Sequence, residues 1–535
     1  MSPPPYYADE AVTLHLGDCL DILPTLADAS VDAVVCDPPY GLADHHPRVI
    51  AEALAAWLAG DRAYVPEGAG FMGRSWDRFV PPPAAWDECW RVLKPGGHLV
   101  AFAAPRTADL MGMSIRLAGF EIRDSLHWIY GSGMPKGQNI GKAIDRRRDD
   151  REQVLQVTAW LAAARDAVGW TNARVDALFG FHGMAGLWTT QGKAAIVPQP
   201  EQWDRLRDAM GFDDAEIRPL VAELNGRKGE LGEAWALREV IGTRNAPTRK
   251  SDHLYGDYSG DDRITAPATD AARQWHGWNT QLRPAHEPII LARKSTGYES
   301  TVANVLLHGT GALNVDACRT AAGQDYQDKC ASVVGIDSPR NGDTGGERTG
   351  IREDSAHNLG RWPANVLLGH GPDCVDGGEC QPGCPVAEMD RQSGVTRSSG
   401  RPGAASGRPG QNVYGTYGQD AGSNAGGLGD SGGASRFFPV FRYEAKAAKS
   451  ERPRLVDGTA HATVKPLALM RWLIRLVTPP GGLILDPFAG SGTTLEAAAV
   501  EGFRAIGVER HEPYAELCRV RLAKPLAPVL FGDIA

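Results

Sequence analysis

"GGLILDPFAGSGTTLEAAAVEGFRAIGVER", residues 481–510, runs a strand, a glycine-rich turn, a helix and a second strand together without a break. The apolar "LILD" ends in Asp486, and Pro487, Phe488, Gly490 and Gly492 follow before a helix opens at Thr493. Glycines let a backbone approach a ligand closely, and the first turn of a helix leaves N–H groups without intrahelical partners. The second strand, "AIGVE", ends in Glu509, an acid placed to accept from a ribose diol. The pattern predicts an α/β unit with a nucleoside-cofactor site at the carboxyl ends of its strands. It has neither the GxGxxG spacing of a dinucleotide site nor the terminal lysine of a phosphate loop, and a plain structural turn is the competing reading of its glycines.

The same theme recurs near the other end of the chain. In "VVCDPPYGLADHH", residues 34–46, an apolar run empties into Asp37, Pro38, Pro39 and Tyr40. Prolines fix φ and carry no N–H, so the carbonyls there are free to accept; Asp37 adds another acceptor and Tyr40 a ring for stacking. Alone, the tetrapeptide also reads as a turn. Strand-like runs fall at 12–17, 32–36, 98–103, 121–130, 286–293, 482–486 and 504–509, separated by amphipathic stretches such as "PAAWDECWRVLKPGG". This alternation predicts a parallel sheet with helices on both faces, with these seven runs as its candidate strands.

Two motifs carry a family resemblance. "DPFAGSGTT" resembles the S-adenosylmethionine loop of the DNA amino-methyltransferases, and "DPPY" resembles their base-binding tetrapeptide. With the tetrapeptide first and the cofactor loop near the C-terminus, the order resembles the circularly permuted β group. "HATVKPLALMRWLIRLV" (461–477) is similar to that group's cofactor-closing segment, with Ala462 where a proline is usual, and "LHLGDCLDILPTL" is similar to its N-terminal strand. The resemblance covers roughly 11–145, 275–300 and 436–520.

It implies a Rossmann-like methyltransferase sheet of seven strands, parallel except for one, and methyl transfer from S-adenosylmethionine to the exocyclic amine of a base flipped from double-stranded DNA. Asp37, Pro38, Pro39 and Tyr40 are implied to hold and stack that base. Asp18, Thr463, Lys465, Pro466, Asp486, Pro487, Phe488, Gly490, Gly492, Thr493 and Glu509 are implied to line the cofactor pocket. Asp at the head of the tetrapeptide favours adenine N6; cytosine N4 is the alternative. An RNA or protein amine methyltransferase, or a DNA-binding regulator with a vestigial catalytic half, stand as further readings. Restriction–modification is the expected setting, and a homodimer is left open.

The expected organisation is 1–147 for the N-terminal part of the methyltransferase domain and 148–245 for a helical insertion. The remainder of the catalytic sheet follows at 246–300, a loop-rich target-recognition region at 301–435, and the C-terminal catalytic part at 436–535. Within the insertion, residues 152–212 spell four short helices with a tight "FGFHGMAG" turn, similar to phage-repressor helix-turn-helix domains; a helical insertion without DNA contact is the alternative. The region after 300 contains a short repeat, "ANVLLHG" (303–309) and "ANVLLGH" (364–370), and a glycine-rich stretch at 398–435. "SRFFPVFRYEAKAAKSERPR" (435–454) interleaves Arg436, Arg442, Lys446, Lys449, Arg452 and Arg454 with aromatics, a composition suited to a phosphate backbone or to a solvated charged face.

Composition narrows the class. The 535 residues carry a formal charge of −9, which argues against indiscriminate coating of nucleic acid. No run approaches the roughly 20 apolar residues of a membrane span, and "MSPPPYYADE" lacks a signal-peptide pattern, so a cytoplasmic protein is expected, with no membrane partner. Nine cysteines are mostly isolated. The exception is His370, Cys374, Cys380 and Cys384, whose spacing could hold a structural zinc or leave free thiols.

Overall fold

The computed structural model describes residues 4–524 apart from 44, 69, 71–74, 132–136, 149, 181–182, 228–230, 244–262, 299, 321–359, 372–373, 375–378, 382, 398–410, 413–414, 417–429, 442–452, 456 and 462. Most of the glycine-rich stretch, Ala462, and the basic residues Arg442, Lys446, Lys449 and Arg452 lie outside the described residues. Two compact units are present, Met1–Gly133 with Ala285–Ala535, and Met134–Pro284.

The first unit is built on one sheet. Its strands are β1 (Tyr7–Ala8), β2 (Val12–Leu16), β3 (Val31–Cys36), β4 (Leu93–Phe102), β5 (Glu121–Ile129), β6 (His286–Arg293), β7 (Val366–Gly369), β8 (Val440–Phe441), β9 (Leu483–Asp486) and β10 (Arg504–Glu509). Their spatial order is β1-β2-β10-β9-β3-β4-β6-β5-β7-β8. All seven expected strands are in it. The sheet nevertheless has ten strands, not seven: β1 extends one edge and β7 and β8 the other. These additions are two to four residues long, too short to show a periodic apolar pattern. β6 runs antiparallel to β4 and β5, and β1 antiparallel to β2; the remaining pairs are parallel.

β3 is buried at every position because both faces are covered. Ala33 and Val35 pack with the helices Leu467–Val477 and Thr493–Val500, while Val34 and Cys36 pack with Pro47–Ala59 and Pro83–Val92. Chain direction sets the site. From β9 the chain crosses through Thr493–Val500 to β10 on one side; from β3 it proceeds to β4 on the other. β9 and β3 are hydrogen-bonded neighbours, Ile484 opposite Ala33 and Leu485 opposite Val34. Between them the winding reverses, and the crevice outside the carboxyl ends of such strands is where open α/β sheets bind ligands.

The second unit is helical. Arg151–Ala167, Asn172–Phe179, Met184–Thr189, Pro200–Met210 and Arg218–Gly226 enclose Trp188, Trp203, Leu161 and Leu206. The turn after Phe179 uses left-handed Gly180 and Gly183, and Asp176 accepts from Gly183 N and Ala185 N, capping the third helix. The unit is wider than 148–245. Asp145, fully buried, accepts from Arg238, from Ala268 N and from the Thr269 hydroxyl, which ties both flanks to the helical body.

Candidate active site

The two peptides singled out in the sequence leave the ends of β3 and β9 side by side. Asp37, Pro38, Pro39, Tyr40, Asp486, Pro487, Phe488, Gly490 and Thr493 all line one cavity of about 220 Å3, together with Asp18, Thr463, Lys465 and Glu509. Pro466 and Gly492 do not line it. Pro466 caps the helix Leu467–Val477, and Gly492, with φ +80°, caps Thr493–Val500, where a Cβ would lie 2.4 Å from Cys518 Sγ.

On the β3 side, a backbone turn is clamped from two directions. Asp77, buried, accepts from Tyr40 N at 2.8 Å and from Gly41 N at 2.9 Å, and the Thr107 hydroxyl donates to the Tyr40 carbonyl at 2.6 Å. Lys465 Nζ reaches Asp37 Oδ2 at 2.6 Å and Glu287 Oε2 at 3.4 Å, and it lies 5.1 Å over the Tyr40 ring. Burial pulls the Lys465 ammonium down, but Asp37 and Glu287 outweigh it and hold the pKa above its ordinary value. The Tyr40 hydroxyl donates to Glu287 Oε2 at 2.9 Å; burial, with Asp37 and Glu287 beside it, keeps it protonated. Asp37 Oδ1 is different. It is buried and has no hydrogen-bond partner among the described residues.

On the β9 side, Asp486 Oδ1 accepts from Phe488 N at 3.0 Å, and Glu509 accepts from Gly490 N and His511 N, each at 2.8 Å. Burial pushes both carboxyls up, Asp486 to about 7 and Glu509 to about 7. Asp18 caps the short helix Cys19–Ile22 and lies 3.4 Å from Arg510. Five acids, Asp18, Asp37, Asp77, Asp486 and Glu509, line the cavity against two permanent cations, Lys465 and Arg510. The Trp76 and His461 rings stack 6.4 Å apart, and His461 meets Tyr514 edge-on at 4.5 Å.

Sequence reasoning missed Asp77, Thr107, Glu287, Arg510, Trp76 and Tyr514. Glu287 had a readable signal. A strand antiparallel to its neighbours begins where they end, so an acid at the head of "HEPIILAR" reaches the same rim as Asp37. Lys465, expected with the cofactor residues, lines the same cavity and also contacts Asp37. Arg436, expected on a phosphate backbone, donates to the Gly432 and Gly433 carbonyls and covers the Phe437 ring.

Away from this cavity, His370, Cys374, Cys380 and Cys384 bring one ligand atom each to within 4.8 Å of the others.

An α/β sheet with an acidic cavity at its switch point is the class these elements define. The family whose model, described as DNA methylase (N6/N4), matches residues 31–519 narrows it, and the chain belongs to that family. The chain is 46% identical to YubD of Escherichia coli (strain K12) over 63 residues, 12% of this chain and 28% of that one. It is 38% identical to the type II methyltransferase M.ScaI of Streptomyces caespitosus over 77 residues, 14% and 25% of the two. It thus spans about a quarter of the length of these curated relatives. Among solved structures, the cytosine-N4-specific PvuII DNA methyltransferase aligns at 10% identity over 97% of this chain and 89% of that one, with a TM-score of 0.37. The M1.HpyAVI complex with S-adenosylmethionine aligns at 11% over 96% and 100%, with a TM-score of 0.31. Superpositions this loose transfer no residue and no activity.

Proposed function

We propose that the chain is an S-adenosylmethionine-dependent DNA methyltransferase of the circularly permuted β group, acting on the exocyclic amine of a flipped base, adenine N6. The observation that carries this reading is Asp37 Oδ1, a buried acceptor without a partner among the described residues, on a side chain that lines the same cavity as the glycine loop. A buried carboxylate oxygen left unpaired is costly, and an amino group entering the cavity would satisfy it. Chain order supports the permuted arrangement: the tetrapeptide after β3 precedes the loop after β9, and strand pairing makes them neighbours.

The residues fit the cofactor. A cavity with five acids and two permanent cations suits a sulfonium, Glu509 suits a ribose diol, and Phe488 offers an apolar ring. When bound, S-adenosylmethionine supplies a methyl group activated by its positive sulfur. The protein supplies placement. Asp37 Oδ1 accepts one amine hydrogen and orients the nitrogen lone pair toward the cofactor side, while Lys465 on Oδ2 keeps the carboxylate fixed. Tyr40 presents a ring for the base, held by Glu287, Asp77 and Thr107. Asp at this position favours adenine. Incubating the chain and S-adenosylmethionine with duplex DNA, RNA or protein in separate reactions, then digesting to nucleosides or amino acids, tests the reading: N6-methyladenine in DNA supports it, N4-methylcytosine replaces the base assignment, and methylation of RNA or protein alone overturns the substrate class.

A further inference from the structure

We propose that His370, Cys374, Cys380 and Cys384 bind a structural zinc ion that ties the end of β7 to the helix Pro385–Ser393. Cys380 Sγ lies 3.4 Å and Cys384 Sγ 3.6 Å from His370 Nδ1, and all four ligand atoms fall within 4.8 Å. Tetrahedral zinc, with Zn–S of about 2.3 Å and Zn–N of about 2.0 Å, separates sulfur from nitrogen by about 3.5 Å and sulfur from sulfur by about 3.8 Å. The two sulfur–nitrogen separations match those of a tetrahedral zinc site, and the remaining ligand atoms lie close enough to reach one ion. Cys374, Cys380 and Cys384 are all unpaired by disulfides, and a disulfide could use only two of the three sulfurs. Three thiolates with one imidazole are a soft donor set that selects zinc over magnesium or calcium, and binding would release the thiol protons to solvent.

The backbone around the cluster is arranged for sulfur. Gln381 N donates to Cys374 Sγ at 3.4 Å. Cys384 is also the residue from which the helix Pro385–Ser393 starts. Among the described residues, the buried apolar residues of this cluster are Leu368, Cys384 and Val386, with Ile129, Val366, Ala387, Met389 and Phe438 partly buried against them, in a stretch rich in glycine and proline. Such a core-poor segment gains most from a metal cross-link.

Position separates this site from the chemistry at Asp37. His370 follows β7 directly, and β3, β4, β6, β5 and β7 lie in that order across the sheet. Four strand spacings place β7 about 19 Å from β3. With all four positions filled by protein, the ion would have no open site for substrate. The inference stands whether or not the proposed function does.

The test is metal content. The full-length chain, expressed with zinc in the medium and purified under reducing conditions, should carry one zinc per chain by elemental mass spectrometry. Replacement by cobalt should give the visible ligand-field and thiolate charge-transfer bands of a tetrahedral sulfur-rich site. Cys380→Ser with Cys384→Ser should lose the metal. Wild-type protein free of zinc, or cobalt bands indicating six oxygen and nitrogen ligands, would overturn the proposal; both measurements on the wild type stand even if the double variant does not fold.

Discussion

Lys465 Nζ sits 2.6 Å from Asp37 Oδ2, a contact between residues 428 positions apart in the chain. Lys465 is 7% exposed and also serves Glu287, so one buried ammonium neutralises part of a pair of half-buried acids. Replacing it leaves both carboxylates without a counter-charge. Lys465→Met is expected to lose about 2–3 kcal/mol, less than the roughly 3–5 kcal/mol for breaking one side of a fully buried ion pair, because both acids keep some solvent contact. Adding Asp37→Asn should recover part of that loss. Urea denaturation of the two variants measures it, and an unchanged midpoint in Lys465→Met would count against the contact.

Tyr40 separates ring from hydroxyl. Tyr40→Phe removes the bond to Glu287, worth about 1 kcal/mol of stability, but keeps the stacking surface. Its turnover should stay within about tenfold of wild type. Tyr40→Ala also loses base stacking, about 1–3 kcal/mol, and should weaken DNA binding by roughly 5- to 150-fold in a fluorescence titration. Equal behaviour of the two variants would show that the base does not lie on this ring.

The pH response follows from Asp486 and Glu509, whose carboxyls are pushed up to about 7 by burial from ordinary values of 3.8 and 4.5. Between those limits the folded chain holds more protons than the unfolded one, so ligand-free stability falls as pH rises toward about 7 and is level above it. Glu509→Gln should flatten part of that slope. A ribose diol prefers the ionised acid, so cofactor affinity should rise over the same window and lose this rise in Glu509→Gln. Thermal melts and calorimetric titrations across the window check both signs.

Gly492 has φ +80°, and a Cβ there would come 2.4 Å from Cys518 Sγ. Gly492→Ala is expected to destabilise by about 2–4 kcal/mol, combining left-handed strain with overpacking. Made in a Cys518→Ala background, the same change should cost less, because the clash is relieved while the strain persists. Equal costs in the two backgrounds would assign the whole effect to the backbone.

The seven longer strands and the meeting of the two motifs were legible because each is a local pattern: an apolar run, then an acid and a turn. What was not legible depends on context. "ANVLL" occurs twice, as part of the helix Thr301–His308 and in the segment that becomes β7. The first copy has Ser300 accepting from Ala303 N and left-handed Gly309 to stop it; the second follows Pro363 and pairs with β5. Caps and a neighbouring strand choose between the two forms, and five identical residues cannot. The site shows the same limit. Asp37 and Glu509 announce themselves within motifs, whereas Asp77 and Glu287 matter because folding brings their oxygens to Tyr40.

The most direct measurement is the yield of methylated nucleosides from duplex DNA treated with S-adenosylmethionine and either the wild-type chain or Asp37→Ala, with cofactor binding followed in parallel by calorimetry. N6-methyladenine formed by the wild type and lost in Asp37→Ala, while cofactor affinity stays within about threefold, is the predicted result. Undiminished methylation by Asp37→Ala would contradict the role given to that carboxylate, and no methylated base from a wild type that binds the cofactor would contradict the proposed activity.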